Sequence, residues 1–277
     1  MPESPVVMVH GIWNLRAGRT REQAAADLAE AWRPRLAAGC QAAGLGHETT
    51  PRLVAAYYAD VLDPLVQGDD DALDQLTPAE EEALLRWLIE LGLPDELAQG
   101  SLTAPLRQGM DWLARRRGGE SLTRVMTAVL REVYAYLTRP ALRVRVRDVV
   151  AEAIDRHRPQ VVVAHSLGSV VTYEALHAGG QQVDLLVTLG SPLGLPGSVF
   201  EGLDPEPVDG RGARPPGVGR WVNIADVGDV VAVPRRLGDR FPVDLHDEVN
   251  LGTVDFHTLG GYLSCAPTAA AIMAYAG

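Results

Sequence analysis

Ser166 lies at the centre of Ala-His-Ser-Leu-Gly, residues 164–168, and is the first candidate for chemistry in this chain. Four apolar, mostly β-branched residues at 161–164 lead into it, which is typical of a buried parallel strand. A helix-compatible stretch follows from Leu167 to His177. Small residues at 164 and 168 suit a strained strand-to-helix turn that projects the serine hydroxyl out of a sheet. The pattern predicts a nucleophile elbow, and the alternative interpretation is a structural turn with an ordinary serine.

A serine hydroxyl becomes a good nucleophile when a histidine takes its proton and an acidic side chain orients that histidine. In a parallel sheet these partners follow later strands, in the order Ser, acid, His. Asp226 and Asp229 both lie just after a strand predicted at 221–225. We prefer Asp229, because the apolar run at 230–233 would hold its carboxylate in place. Asp226 remains the alternative acid.

Two histidines follow that loop, His246 and His257, and either one is a candidate base. His246 lies within a last strand predicted at 243–251, between Asp244 and Asp247, and is interpreted as a surface residue. His257 comes after that strand, in a loop that leads to the final helix. Its position predicts that His257 is the base.

Backbone N–H groups must also face the oxygen on which negative charge develops; the loss of one donor typically lowers the rate about 10²–10³-fold. Leu167 follows the serine, so the elbow geometry directs its N–H toward this space. A second donor is expected in the His10-Gly11-Ile12 turn after a first strand at Val6–Val9, and we assign it to Ile12. His10 is expected to brace that turn.

Strands that alternate with helical stretches predict an α/β fold, a three-layer α/β/α sandwich with a mostly parallel sheet. About 80 mainly helical residues at 60–139 exceed what a crossover between strands requires. We therefore expect a core formed by residues 1–59 and 140–277, with 60–139 inserted as a helical cap. Thr20 with Gln23 and Thr77 with Glu80 predict capping boxes that begin two helices.

Composition limits the partners of this chain. A formal net charge of −11 over 277 residues argues against nucleic acid or an anionic membrane as a ligand. The sequence contains no P-loop, no dinucleotide fingerprint and no His-Glu-x-x-His, so we predict neither a metal nor a cofactor. No signal peptide and no apolar run of about 20 residues is visible, which predicts a cytoplasmic protein without an integral membrane segment. The oligomeric state is left open.

The chain resembles the α/β-hydrolase family, and within it the bacterial lipase-like and esterase-like members. The resemblance implies a catalytic triad of Ser166, Asp229 and His257. It also implies that Ile12 and Leu167 supply the amides of an oxyanion hole. Alanine at 164 replaces the commoner glycine but is itself familiar among small bacterial lipases. The matching stretches are Val-Val-Met-Val-His-Gly-Ile at 6–12, Ala-His-Ser-Leu-Gly at 164–168, Gly-Ser-Pro at 190–192, Asp229-Val-Val, and His257 followed by Gly-Tyr-Leu.

The expected function is hydrolysis of a carboxylic ester, a small-molecule ester or acyl substrate, through an acyl-serine intermediate. The predicted cap, with Trp13, Trp87 and Trp112, suggests an apolar substrate cavity. A thioesterase or acyltransferase and an amidase or peptidase would use the same triad. A non-catalytic binding protein with the α/β-hydrolase fold, using the cap as a partner surface, is the alternative from another class.

Overall fold

The computed structural model describes residues 4–46, 50–62, 76–94, 108–113, 120–252 and 257–276. The strands are β1 (Val6–Val9), β2 (Leu53–Ala56), β3 (Val161–His165), β4 (Val183–Leu189), β5 (Val218–Asp226) and β6 (Leu245–Val249). The main helices are α1 (Arg21–Ala42), α2 (Pro78–Glu90), α3 (Glu120–Thr138), α4 (Pro140–His157), α5 (Leu167–Gly179), α6 (Leu259–Leu263) and α7 (Ala266–Met273). Residues 108–113 are also helical.

The strands form one six-stranded sheet in the order β2-β1-β3-β4-β5-β6, and every neighbouring pair is parallel. This confirms the α/β class and the parallel sheet that the alternating pattern predicts. The chain runs from β1 outward to β2 and later returns to β3 on the other side of β1. Because the strand order reverses here, the helices that follow β1 and β3, α1 and α5, lie on opposite faces of the sheet. The carboxyl ends of strands at such a reversal are a common position for a binding site.

Apolar side chains cover both faces of the sheet. Val7 and Val9 of β1 belong to one apolar core, whereas Val6 and Met8 belong to the other. The first core also includes residues of α2, α3, α4 and α5, and the second includes residues of α1, α6 and α7. All four β1 side chains are fully buried, which explains why this strand is apolar throughout instead of alternating.

Two helices begin at the capping boxes that the sequence predicts. Thr20 Oγ1 accepts the Gln23 N–H at 3.3 Å, and the Gln23 side chain accepts the Thr20 N–H at 3.1 Å. Thr77 and Glu80 form the same reciprocal pair at the start of α2. Each box satisfies amides that a helix cannot pair internally, and this fixes where the helix begins.

The segment at 60–139 contributes α2 and α3 to the described structure. Their apolar residues join the core on the α4 and α5 side of the sheet. Trp87 of α2 is fully buried, and its indole N–H donates to the Val230 carbonyl at 2.8 Å. This segment therefore packs against the loop that carries Asp229. Parts of it, at 63–75, 95–107 and 114–119, lie outside the described residues.

Candidate active site

Ser166 stands between β3 and α5 in a strained backbone conformation. Its φ of +53° and ψ of −130° fall in a region that non-glycine residues rarely adopt, at a cost on the order of 1–3 kcal/mol. Hydrogen bonds hold the turn in place: the Ser166 N–H donates to the Leu189 carbonyl at 3.0 Å. The Ser169 hydroxyl and the Ser191 hydroxyl are 2.7 Å apart, and Ser169 Oγ also donates to the Ser166 carbonyl at 2.6 Å.

The loop after β1 packs directly on this turn, and two glycines make the close approach possible. A Cβ atom at Gly168 would lie 2.4 Å from the His10 carbonyl oxygen. A Cβ atom at Gly11 would lie 2.7 Å from Ser166 Cβ. Both distances are far below van der Waals contact, so any side chain here would push the two segments apart. The motif glycine is therefore required by packing as well as by the turn.

A continuous hydrogen-bond chain joins Ser166, His257 and Asp229. His257 Nε2 lies 2.9 Å from Ser166 Oγ, and His257 Nδ1 lies 2.8 Å from Asp229 Oδ2. A carboxylate accepts only, so Nδ1 carries the proton and Nε2 is left to accept the proton of the serine hydroxyl. All three side chains are buried. The structure thus brings together the three residues that the sequence predicts as nucleophile, acid and base.

Asp226, the alternative acid, is engaged elsewhere. Its Oδ1 accepts the Gly228 N–H at 2.7 Å, and its Oδ2 accepts the Leu251 N–H at 2.5 Å. These bonds tie the end of β5 to the segment after β6. In contrast, Asp229 Oδ1 accepts the Val231 N–H at 2.9 Å, which leaves Oδ2 directed toward His257. The two aspartates therefore have separate roles: Asp226 shapes the loop and Asp229 contacts the histidine.

Tyr262 also contacts the acid, and sequence reasoning missed it as a site residue. Its hydroxyl accepts the Asp226 N–H at 2.8 Å, so its own proton is donated to Asp229 Oδ2 at 2.7 Å. Burial, together with the charge of Asp229, raises the pKa of Tyr262 well above its usual value. The phenol therefore stays protonated and remains a donor. Tyr262 lies on the short helix α6, within the Gly-Tyr-Leu stretch that contributes to the family resemblance, but its residue type and position do not by themselves predict a contact with the acid.

His246 lies in β6, and no hydrogen bond joins it to Ser166. Its Nδ1 is 3.0 Å from Asn223 Nδ2 on the neighbouring strand. Its side chain is only 9% exposed, but the residue as a whole is half-buried on an edge strand, so the interpretation of His246 as a surface residue holds only in part. Burial lowers its pKa, and the nearby Glu248 opposes that shift. The residue packs at the sheet edge because its strand lies beside β5.

Ile12 and Leu167 each present a backbone N–H that no acceptor pairs within the described part of the chain. Hydrogen bonds from His10 Nδ1 at 2.8 Å and from Asn14 Nδ2 at 3.1 Å fix the direction of the Gly11 carbonyl. Because the peptide bond between Gly11 and Ile12 is trans and planar, fixing this carbonyl also fixes the Ile12 N–H in the opposite direction. Ile12 and Leu167 thus each offer an unpaired amide in segments that pack against each other at Ser166.

Two further histidines support the site in their neutral forms. The Tyr58 N–H donates to His10 Nε2 at 3.2 Å, so His10 carries its proton on Nδ1, which donates to Gly11. Burial lowers the pKa of His10 to about 4. Burial also lowers the pKa of His165, whose ring centroid lies 4.9 Å from that of His257. An uncharged ring at this distance does not repel a positive charge on His257, so His257 can become the cation during a reaction.

The three tryptophans that suggest an apolar substrate cavity, Trp13, Trp87 and Trp112, differ in their surroundings. Trp87 is fully buried and packs in the core, whereas Trp112 is partly buried against the same core. Trp13 is 44% exposed and directly follows Ile12. Trp13 is therefore the tryptophan that presents an aromatic surface to solvent beside the candidate oxyanion hole.

Comparison with family models, with curated proteins and with solved structures finds no match to this chain. Within the ranges that the structure describes, no group of three His, Cys, Asp or Glu side chains is placed to hold a metal ion. No helix in those same ranges is both long and apolar enough to cross a membrane. The interpretation of the site therefore depends on its own geometry.

Proposed function

We propose that this chain is a serine hydrolase with the α/β-hydrolase fold, which cleaves carboxylic esters through an acyl-serine intermediate. The observation that carries the proposal is the hydrogen-bond chain from Ser166 through His257 to Asp229, beside two unpaired amides. These groups come from distant parts of the chain, and each follows a strand of the parallel sheet. Acyl transfer needs a nucleophile, an oriented base and oxyanion donors, and this arrangement has a candidate for each.

In the proposed reaction, Ser166 Oγ attacks the ester carbonyl carbon while His257 Nε2 takes the hydroxyl proton. Asp229 holds the imidazole and stabilises the imidazolium that forms. The carbonyl oxygen becomes an oxyanion and accepts hydrogen bonds from the Ile12 and Leu167 amides. His257 then gives its proton to the leaving alcohol, and the acyl group stays on Ser166. Water then attacks the acyl-serine while His257 takes its proton. The bond between the acyl carbon and Ser166 Oγ breaks, His257 returns the proton to Oγ, and the acid is released.

Apolar neighbours of the triad favour a largely apolar acyl group. Val230 and Val231, directly after Asp229, are fully buried, and Ile12 is only 7% exposed. We propose that α2 and α3 belong to a cap that helps to determine the substrate, because Trp87 of α2 contacts the Val230 carbonyl. Apolar side chains around a site favour an apolar acyl group through the hydrophobic effect and supply no charge for an ionic substrate.

Covalent labelling by a fluorophosphonate tests the proposal most directly. The wild-type protein should be labelled at one site, and Ser166→Ala should lose the label. Ser4→Ala is a matched control, because the Ser4 hydroxyl binds the Arg158 carbonyl far from the triad. The control should be labelled like the wild type. In an assay with p-nitrophenyl esters, Ser166→Ala should lower kcat on the order of 10⁶-fold.

Other outcomes would favour other functions. Faster turnover of acyl-CoA than of esters would favour a thioesterase or acyltransferase, and faster turnover of amides would favour an amidase or peptidase. A folded wild-type protein that reacts with no fluorophosphonate and hydrolyses none of these substrates would refute the hydrolase proposal. It would support a non-catalytic binding protein instead.

A further inference from the structure

Glu132 is a buried acidic side chain that connects α3 to the loop after β1. Its Oε1 accepts the Trp13 N–H at 3.3 Å, although the two residues are 119 positions apart in the chain. The side chain is 1% exposed, and none of the ion pairs among the described residues includes it. A buried carboxyl group with one hydrogen bond and no cationic partner is costly, which makes it a candidate for a functional role.

The contact falls next to the candidate oxyanion donor. Trp13 has a φ of +58°, a left-handed conformation that costs a bulky residue free energy and needs support from its surroundings. Asn14 Nδ2 donates to the Ile12 carbonyl at 2.7 Å. The peptide between Ile12 and Trp13 is thus held at its carbonyl by Asn14 and at its N–H by Glu132.

We propose that Glu132 is a positioning residue. Through its hydrogen bond with the Trp13 N–H, this side chain of α3 holds the Ile12–Trp13 peptide and thereby keeps the Ile12 N–H directed into the oxyanion hole. This inference rests on the proposed function. His10 and Asn14 belong to the loop itself, whereas Glu132 supplies a contact from α3. The arrangement makes the quality of the oxyanion hole depend on how α3 is docked.

Glu132 works as an acceptor without carrying a charge. Burial raises its pKa to about 8, and the Trp13 amide only partly opposes the shift. The titratable side chains that face it are Tyr58, after β2, and His10 behind Tyr58, after β1. Both stay uncharged near neutral pH, since burial moves the pKa of Tyr58 well upward and that of His10 down to about 4. A neutral carboxyl group places no negative charge beside a developing oxyanion.

The test compares Glu132→Leu and Glu132→Gln with the wild type on a p-nitrophenyl ester. Leucine removes the acceptor, so kcat should fall about tenfold while KM changes less than about threefold, as for a group that acts in the transition state. Glutamine retains an acceptor oxygen, so E132Q should recover most of that loss. Thr127→Val on the same helix is the control, because the Thr127 hydroxyl is buried and has no partner among the described residues. Its kcat should match that of the wild type.

A pH profile separates the positioning role from a packing role. The wild-type kcat should fall above about pH 8 as Glu132 ionises, whereas the kcat of E132Q should lack this decrease. An E132L variant that keeps the wild-type kcat, or an equal loss in E132L and E132Q, would overturn the proposal. A wild type that fluorophosphonate does not label would instead reject the proposed function, and the inference with it.

Discussion

Replacement of Glu132 by glutamine should stabilise the protein by an amount that grows with pH. In the unfolded chain this carboxyl group releases its proton near its ordinary pKa of 4.5, whereas in the folded protein burial raises the pKa to about 8. Between these values the folded state binds one proton more than the unfolded state. The free energy of unfolding therefore falls as the pH rises, by about 1.4 kcal/mol per pH unit.

The full loss follows from the interval between the two pKa values. An interval of about 3.5 pH units corresponds to about 5 kcal/mol well above pH 8, to about 4 kcal/mol at pH 8 and to about 3 kcal/mol at pH 7. Below about pH 4.5 the group is protonated in both states and costs nothing. Glutamine has no proton to release, so E132Q should escape this loss at every pH. This contribution is comparable to the whole stability of a marginal domain.

Urea unfolding of wild type and E132Q at about pH 5, 7 and 8.5 measures the difference. Other ionisable groups are shared by both proteins and cancel, so the slope of the difference with pH reports Glu132 alone. Glu82→Gln on α2 is the control, because this glutamate is 61% exposed and pairs with Arg86 on the surface. Its effect should stay within about 0.5 kcal/mol at each pH. A difference between E132Q and wild type that does not change with pH would refute the reasoning.

Two further predictions concern the acid of the triad. Asp229→Asn should lower kcat on the order of 10⁴-fold in the ester assay, because an amide cannot hold the imidazole in the same tautomer. Asp226→Asn should leave His257 and Ser166 in place. It should instead lower the free energy of unfolding, measured in urea, by about 1–3 kcal/mol, since one amide of its loop loses its acceptor. The reverse result would exchange the roles of the two aspartates. Tyr262→Phe removes two buried hydrogen bonds and should cost about 2–4 kcal/mol of stability. It should also move the acidic limb of the kcat/KM profile to higher pH, because Asp229 then has one donor fewer and stabilises the imidazolium more strongly; an unchanged limb would limit Tyr262 to a structural role.

The sequence was sufficient for features that depend on local chemistry. A run of β-branched residues before Ser166 and small residues around it predict the turn, because the sterics of a strained backbone act within a few residues. The capping boxes at Thr20 and Thr77 are local in the same way and are confirmed. Alternation of strands and helices predicts the parallel sheet, since parallel strands need such crossovers. The order of the motifs along the chain also predicts which residues meet at the carboxyl ends of the strands.

Only the tertiary structure decided how those residues are partnered. Asp226 and Asp229 are three positions apart and chemically identical, and they differ in which amides their oxygens reach after folding. His246 is half-buried because its strand packs beside β5, which no feature of its own segment reveals. Tyr262 and Glu132 reach the site across a packed core, and their contacts depend on how helices dock. Local propensity acts over a few residues, whereas these contacts are selected by long-range packing. For this reason the sequence predicts the motif around Ser166 but not the contacts that Tyr262 and Glu132 make with the site.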